Sequence, residues 1–440
     1  MMRKVAVIGG GWAGCAAGVE LASTGAAVTL FESARTLGGR ARVVDIDGRQ
    51  LDNGQHILLG AYSESLRLME TVGLAADEVM LRLPLQMRYP AGTGMDFVTP
   101  RLPAPLHMLA GLLRASGLDR TDKLALARFS TTARWMDWTL YQDCSVSELL
   151  DRYDQTERLT RLMWRPLCVA ALNTPPERAS AQVFLHVLRD SLGARRAASD
   201  MLIPRVDLTA LFPQHAGAFI EGHGGTLRLG AQVRRLVRED AYWRLEMNGA
   251  PQAGERFDAV VIATPPGNAA SLLEGHAEIP SLSAFDYEPI TTCYLQYEQG
   301  LALDHAFFAL VDNPEHGEWG QFVFDRGRLD PARSGLLAVV VSASREAITP
   351  GHDTLAASLA AHLAKAFRRP ELMHPLWSKI ITEKRGTFSC RPSLSRPAND
   401  TGISGLALAG DYTACDYPAT LESATRSGVQ AARIVLDARS

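Results

Sequence analysis

A short polar start, Arg3-Lys4, gives way to four apolar residues, Val5-Ala6-Val7-Ile8, which stop at Gly9-Gly10-Gly11. A brief apolar run cut off by glycine predicts a buried strand over residues 4–8. Residues 13–23 then read as a helix with Gly25 as its C-cap, and residues 27–31 as a second strand closed by Glu32. The far end of the chain repeats the theme. A short apolar strand over residues 405–409 ends in Gly410-Asp411, and a helix opens near Pro418 and runs to about Leu436. Residues 258–266 predict a further buried strand ending in Thr264-Pro265-Pro266; taken alone, that piece is equally a core strand with a proline stop.

Two blocks lie between these elements. Residues 81–204 open with strands around 87–98 and then turn helical, whereas residues 276–384 are β-rich at 291–295, 320–324 and 336–341. The pattern predicts a discontinuous nucleotide-binding domain over residues 1–80, 205–275 and 385–440, with 81–204 and 276–384 forming a substrate domain. Leu102, Leu106, Leu109 and Leu113 recur at helical spacing, widened by Met108 and Leu112, with His107, Gly111 and Arg114 opposite. Packing on the core is the simpler expectation for such a stripe; a membrane-facing entrance is the sharper one.

Composition narrows the classes. At 440 residues the chain exceeds one compact core, and 47% hydrophobic with 21% charged residues is ordinary for a globular protein. A net charge of −3 with no long basic run argues against a nucleic-acid partner. Cys15, Cys144, Cys168, Cys293, Cys390 and Cys415 are scattered without a CxxC pair. They read as reduced thiols of a cytoplasmic protein, with no metal framework. No stretch approaches the roughly 18 to 20 apolar residues of a spanning helix, so the expectation is a soluble protein or one lying on a membrane surface.

The N-terminal turn carries the first chemistry. Strand, Gly9-x-Gly11-x-x-Gly14, helix, strand and acid follow in order, with Glu32 eighteen residues after Gly14. Gly9 permits the tight turn, Gly11 lets a pyrophosphate approach the backbone, and Gly14 lets the helix pack on the strand. The first helical residues, Trp12 and Ala13, offer backbone N–H groups to phosphate, and Glu32 accepts hydrogen bonds from a ribose. This pattern binds NAD or FAD without choosing between them.

After Glu32 come Leu37-Gly38-Gly39-Arg40 and then Asp52-Asn53-Gly54-Gln55-His56. Together these motifs resemble the flavin-containing amine oxidase and phytoene desaturase superfamily. The resemblance implies an α/β fold: a discontinuous Rossmann-type FAD-binding domain with an inserted α+β substrate domain. It implies that Arg40 neutralises the pyrophosphate of a noncovalently bound FAD, and that the turn with Gly54 and Gln55 borders the isoalloxazine ring. Gly224-Gly225-Thr226-Leu227, through Gly230 to Leu236, is similar to the family's return strand, whose valine, here Val233, meets adenine. Gly410 and Asp411 would take the ribityl chain, and the helix N-terminus at Thr420 and Leu421 would face the flavin pyrimidine edge. No second GxGxxG stands between a strand and a helix, so the electron donor stays unidentified.

Finer motifs narrow the family. Gly410-Asp411-Tyr412-Thr413, Leu421-Glu422-Ser423-Ala424-Thr425-Arg426-Ser427-Gly428, Trp164-Arg165-Pro166-Leu167 and Asn173-Thr174 are similar to the squalene-associated FAD-dependent desaturases. Members of that group act as hydroxysqualene dehydroxylases in hopanoid synthesis. One departure is Ala414-Cys415-Asp416-Tyr417, where the group has small residues and glycine. The resemblance implies a polyprenyl lipid substrate, peripheral contact with the inner face of a membrane, and hydride replacement of an allylic hydroxyl. An acid must help that hydroxyl leave; His56, Asp416 and Tyr417 are candidates because their motifs border the flavin, each with a structural role as the simpler alternative. A carotenoid desaturase or isomerase, an amine oxidase and a lipid-binding flavoprotein are the rival classes.

Overall fold

Val5, Ala6 and Val7 are wholly buried, as a strand must be when both faces of its sheet are covered. The computed structural model describes residues 3–193, 195–247 and 255–437. Five parallel strands form the first sheet, in the order Thr226–Leu229, Ala27–Glu32, Lys4–Ile8, Ala259–Ile262 and Leu406–Leu408. Alternate residues divide between two cores. Val5, Val7, Val28, Leu30, Val261 and Ala407 join one, and Ala6, Ile8, Phe31, Val260, Ile262 and Leu408 the other.

Helices Trp12–Ser23 and Leu421–Asp437 lie together on the first face. Glycine sets their closeness: a Cβ on Gly428 would stand 2.1 Å from the Ala13 carbonyl oxygen, and one on Gly14 would stand 1.8 Å from that of Gly9. The two ends of the chain are thereby locked side by side.

The second sheet is antiparallel, in the order Phe307–Ala309, Phe322–Asp325, Leu336–Val341, Tyr287–Gln296 and Trp377–Phe388. One face packs on helix His352–Phe367 through Cys293, Leu295, Val339 and Val341. The opposite face, with Phe307, Phe322, Phe324, Val340 and Ile381, joins the core shared with the first sheet and the helical insert.

Three details differ from the sequence expectation. The return strand is two strands, Thr226–Leu229 and Val233–Glu239, because the chain turns at Gly230, whose φ is +69°. The C-terminal helix begins at Leu421, not at Pro418. Helix Leu106–Arg114 turns Leu106, Leu109 and Leu113 to solvent and buries His107, Gly111 and Leu112, so the leucine stripe does not pack on the core. Among the described residues no helix is long and apolar enough to cross a membrane, and no cluster of His, Cys, Asp or Glu could hold a metal ion.

Candidate functional site

A parallel sheet delivers the turns at its carboxyl ends to one edge, and there strands Lys4–Ile8, Ala259–Ile262 and Leu406–Leu408 open a crevice. Gly9 adopts φ +108°, and a Cβ there would stand 2.4 Å from the Ala263 carbonyl oxygen. Only glycine fits. A Cβ on Gly11 would meet nothing closer than Gly39 Cα at 3.9 Å, so the backbone here is open to a ligand. Helix Trp12–Ser23 has no side-chain cap, which leaves the N–H groups of its first turn, at Trp12, Ala13 and Gly14, for an anion. The Trp12 ring itself belongs to the core, 5.2 Å from Phe212.

Glu32 closes one end of the crevice. Its carboxylate accepts from Gly10 N–H at 2.6 Å and Ala34 N–H at 2.7 Å. The loop before Val233 is tied to the same place: Gly230 N–H donates to the Ala34 carbonyl at 2.9 Å and Ala231 N–H to that of Glu32 at 2.8 Å. Val233 is buried just beyond.

At the other end the two halves of the chain meet. Arg40 Nη2 lies 2.7 Å from Asp411 Oδ1, and Arg40 Nη1 donates to the Gly386 carbonyl at 2.9 Å. Asp411 raises the Arg40 guanidinium above its ordinary value, so the cation is secure. Both residues line a cavity of about 150 Å³ with Pro265, Tyr287, Phe388 and Tyr412. The Tyr412 hydroxyl is buried there with no hydrogen-bond partner among the described residues, a cost of about 1–3 kcal/mol unless a bound group accepts from it. Gly410 N–H is held by Ser427 Oγ at 2.9 Å. Thr420 Oγ1 accepts from Ser423 N–H at 3.1 Å, capping the helix that starts at Leu421.

The turn after Asp52 faces two ways. A Cβ on Gly54 would meet only His56 Nε2, at 3.9 Å. Gln55 is committed to the second sheet: its Nε2 donates to Tyr294 Oη at 2.8 Å, and its Oε1 accepts from Arg326 at 3.1 Å. Burial and the nearby Arg40 push the His56 imidazole down to about 4. It is therefore neutral at pH 7. Asp416 stands at the surface, paired with Arg189 at 3.3 Å. Tyr417 is buried and gives its hydroxyl to Asp190 at 2.8 Å.

A glycine-lined anion cradle, a fixed carboxylate at one end, and an arginine with an orphaned phenol at the other fit an FAD laid along the crevice. The flavin containing amine oxidoreductase family matches residues 12–436. The chain belongs to that family. Hydroxysqualene dehydroxylase of Rhodopseudomonas palustris is 30% identical over 100% of this chain and 99% of its own. A probable zeta-carotene desaturase of Synechococcus elongatus is 24% identical, with 99% of each chain covered. The structure of cyclohexylamine oxidase from Brevibacterium oxydans superposes with a TM-score of 0.68 at 18% identity, covering 99% of both chains, which speaks to the fold. As a flavin-containing amine oxidoreductase the chain is an FAD-dependent oxidoreductase with the α/β architecture expected of it.

Several residues of this amine oxidoreductase site escaped the sequence reading. Arg396 donates to the main-chain carbonyls of Asp411 at 2.7 Å, Cys415 at 3.0 Å and Tyr417 at 2.6 Å. It therefore holds the loop over residues 411–417. Tyr412 was read only as part of a family motif with no role of its own, and Arg326 was unmarked, since no local pattern announces an orphaned hydroxyl or a buried arginine. Asn173, singled out by motif, joins the insert to the second sheet: it donates to Thr387 Oγ1 at 3.0 Å and accepts from Ala343 N–H at 2.7 Å.

Proposed function

We propose that this chain converts hydroxysqualene to squalene by reductive dehydroxylation. The observation that carries the reading is the full-length similarity to the Rhodopseudomonas palustris hydroxysqualene dehydroxylase. The substrate is then a polyprenyl lipid, taken up through a peripheral contact with a membrane. FAD, held without a covalent link, supplies the hydride. In the overall change a C–O bond breaks, a C–H bond forms at the same carbon, and the oxygen leaves as water with one added proton.

The chain's own contribution is binding, alignment and dryness. Glu32 and Val233 hold the adenosine end of the cofactor, and Arg40, with the first turn of helix Trp12–Ser23, balances its phosphates. The buried face of the second sheet, with Phe307, Phe322, Phe324, Val340 and Ile381, is an apolar core that keeps water out, as the allylic cation left by the hydroxyl requires. Of the three candidate acids, Tyr417 is the one that is buried and protonated at pH 7, and Asp190 already takes its hydrogen bond.

A carotene desaturase is the second reading, favoured by the 24% full-length identity to the Synechococcus protein. Anaerobic mixing of chemically prereduced enzyme with hydroxysqualene separates the two. Dehydroxylation requires squalene to appear one-for-one with flavin reoxidation. A desaturase leaves hydroxysqualene unchanged, needs oxidised flavin and extends conjugation in a polyene. Squalene formed without flavin oxidation would remove the hydride mechanism.

A further inference from the structure

The helical insert presents an apolar surface that nothing in the fold covers. Leu106, Leu109 and Leu113 on helix Leu106–Arg114 are 53%, 53% and 67% exposed, with Leu102 just ahead of the helix. The next helix, Arg120–Trp135, adds Leu124 at 64% and Trp135 at 88%. The two helices are joined directly, since the Lys123 ammonium donates to the Leu113 carbonyl at 3.0 Å. So many large apolar side chains exposed on two adjoining helices are rarely left in water.

The charge around the patch is as uneven as its polarity. Residues 101–134 contain Arg101, Arg114, Arg120, Lys123, Arg128 and Arg134 against Asp119 and Asp122, a net +4 in a chain whose net charge is −3. Both acids are engaged by Arg158, at 2.9 and 3.2 Å. Arg101, Arg114, Arg120, Arg128 and Arg134 are exposed, and none forms an ion pair among the described residues. Exposed leucines and a tryptophan, flanked by unpaired arginines, are the composition of a surface that lies in a bilayer interface.

The inner side of the same helices is also apolar. A small cavity touches both helices, lined by Met108, Leu126, Phe129, Met163 and Trp164 together with the polar Ser130 and Arg134. Met163 and Trp164 come from a π-helical turn, Thr160–Trp164, a wider and less regular winding found often at functional sites.

We propose that this two-helix face docks on the surface of an anionic phospholipid bilayer, with the leucines and Trp135 seated among the acyl chains and the arginines on the headgroups. The inference deepens the lipid-substrate reading by naming where the lipid arrives. Charge complementarity decides for the bilayer over a second copy of this chain: another +4 face would repel this one.

The test uses the FAD-loaded protein and two vesicle preparations, phosphatidylcholine alone and phosphatidylcholine mixed with phosphatidylglycerol. Flotation of the wild type should favour the anionic vesicles by about tenfold or more, with added salt removing that preference. Leu106→Asp/Leu109→Asp should lower binding by at least about tenfold, and Arg114→Glu/Arg128→Glu should abolish the anionic preference. Leu376→Asp, at an equally exposed leucine outside the patch, should float like the wild type. In the unmodified protein, brominated lipid should quench tryptophan fluorescence, and Trp135→Phe should remove most of that quenching. Equal binding to both vesicles, unchanged flotation of the leucine variant, or equal loss in Leu376→Asp overturns the proposal. So does a dimer in sedimentation that Leu106→Asp/Leu109→Asp dissociates while no vesicle binds. These vesicles contain no substrate. A chain that floats yet leaves hydroxysqualene untouched fails the reaction reading, and one that turns over detergent-dispersed hydroxysqualene yet ignores vesicles fails this one.

Discussion

Glu32 and Arg40 stand at the two ends of the crevice in which we propose that FAD binds, and each has a second task. The Glu32 carboxylate orders the glycine turn through Gly10 N–H and Ala34 N–H, so Glu32→Ala removes a ribose acceptor and loosens the turn. Arg40 offsets the charge of Asp411, which is 8% exposed; Arg40→Ala removes a phosphate partner and leaves that carboxylate uncompensated. Each loses a charge-assisted bond of about 1.5–3 kcal/mol, so FAD affinity should fall roughly 10- to 150-fold. Titration of apoprotein with FAD checks this, with the circular dichroism of both variants expected to match the wild type. Unchanged affinity in both would mean that the crevice holds its cofactor by other groups. Glu32 was legible in the sequence because strand, glycine turn, helix and acid are consecutive. Arg396 was not: its carbonyl partners lie fifteen to twenty-one residues away in irregular chain, where no periodicity survives.

At the scale of elements, helix Leu106–Arg114 shows what periodicity can and cannot tell. Leucines at spacings of three and four define a stripe, but the stripe does not say which side water occupies. The usual inference that apolar faces turn inward holds only in part here: Leu112 is buried beside Gly111 and His107, whereas Leu106, Leu109 and Leu113 face out. The strand and helix at each end of the chain were legible within a few residues, since a short apolar run bounded by glycine has few other uses. What the sequence concealed was their mutual approach. Gly428 sits mid-helix, where glycine is unfavourable, and its reason is tertiary: the Ala13 carbonyl oxygen lies 2.1 Å from where a Cβ would be. Gly428→Ala should improve intrinsic helix propensity and still destabilise the fold. Overpacking at a backbone contact costs about 1–3 kcal/mol, and the displaced helix Trp12–Ser23 carries the phosphate-binding turn. Thermal unfolding of the purified variant should show a lower Tm, and its ratio of flavin to protein absorbance should drop. A variant as stable and as yellow as the wild type would show that the two helices separate at no cost.

The reaction proposed above depends on how the turn after Asp52, which the family resemblance places beside the flavin, is held against the second sheet. A buried polar knot makes that connection, from the end of hairpin 43–52 to Tyr294 and Arg326. Tyr294 Oη donates to the Asp52 carbonyl at 2.8 Å, Arg326 donates to Gln55 at 3.1 Å, and the Arg326 guanidinium stands 3.7 Å from the Asp52 carboxylate. Arg326 and Asp52 are each 2% exposed. Burial pushes the Asp52 carboxyl up and the Arg326 guanidinium down, so their attraction does not fully offset the loss of water. The pair therefore specifies how the turn after Asp52 meets the second sheet more than it stabilises that contact. Removing one partner strands the other: Arg326→Ala should cost about 3–5 kcal/mol, whereas Tyr294→Phe, which loses a neutral hydrogen bond, should cost about 1 kcal/mol. The double variant Asp52→Asn/Arg326→Met removes both charges and should recover much of the stability in denaturant unfolding. Its recovery should not extend to function, because Gln55 loses its anchor and the turn beside Gly54 is free to shift relative to the second sheet. Stability restored with flavin affinity or turnover still impaired would assign the knot to alignment. If stability and turnover return together, the knot is only a packing feature, and the turn after Asp52 finds its place on the second sheet without it.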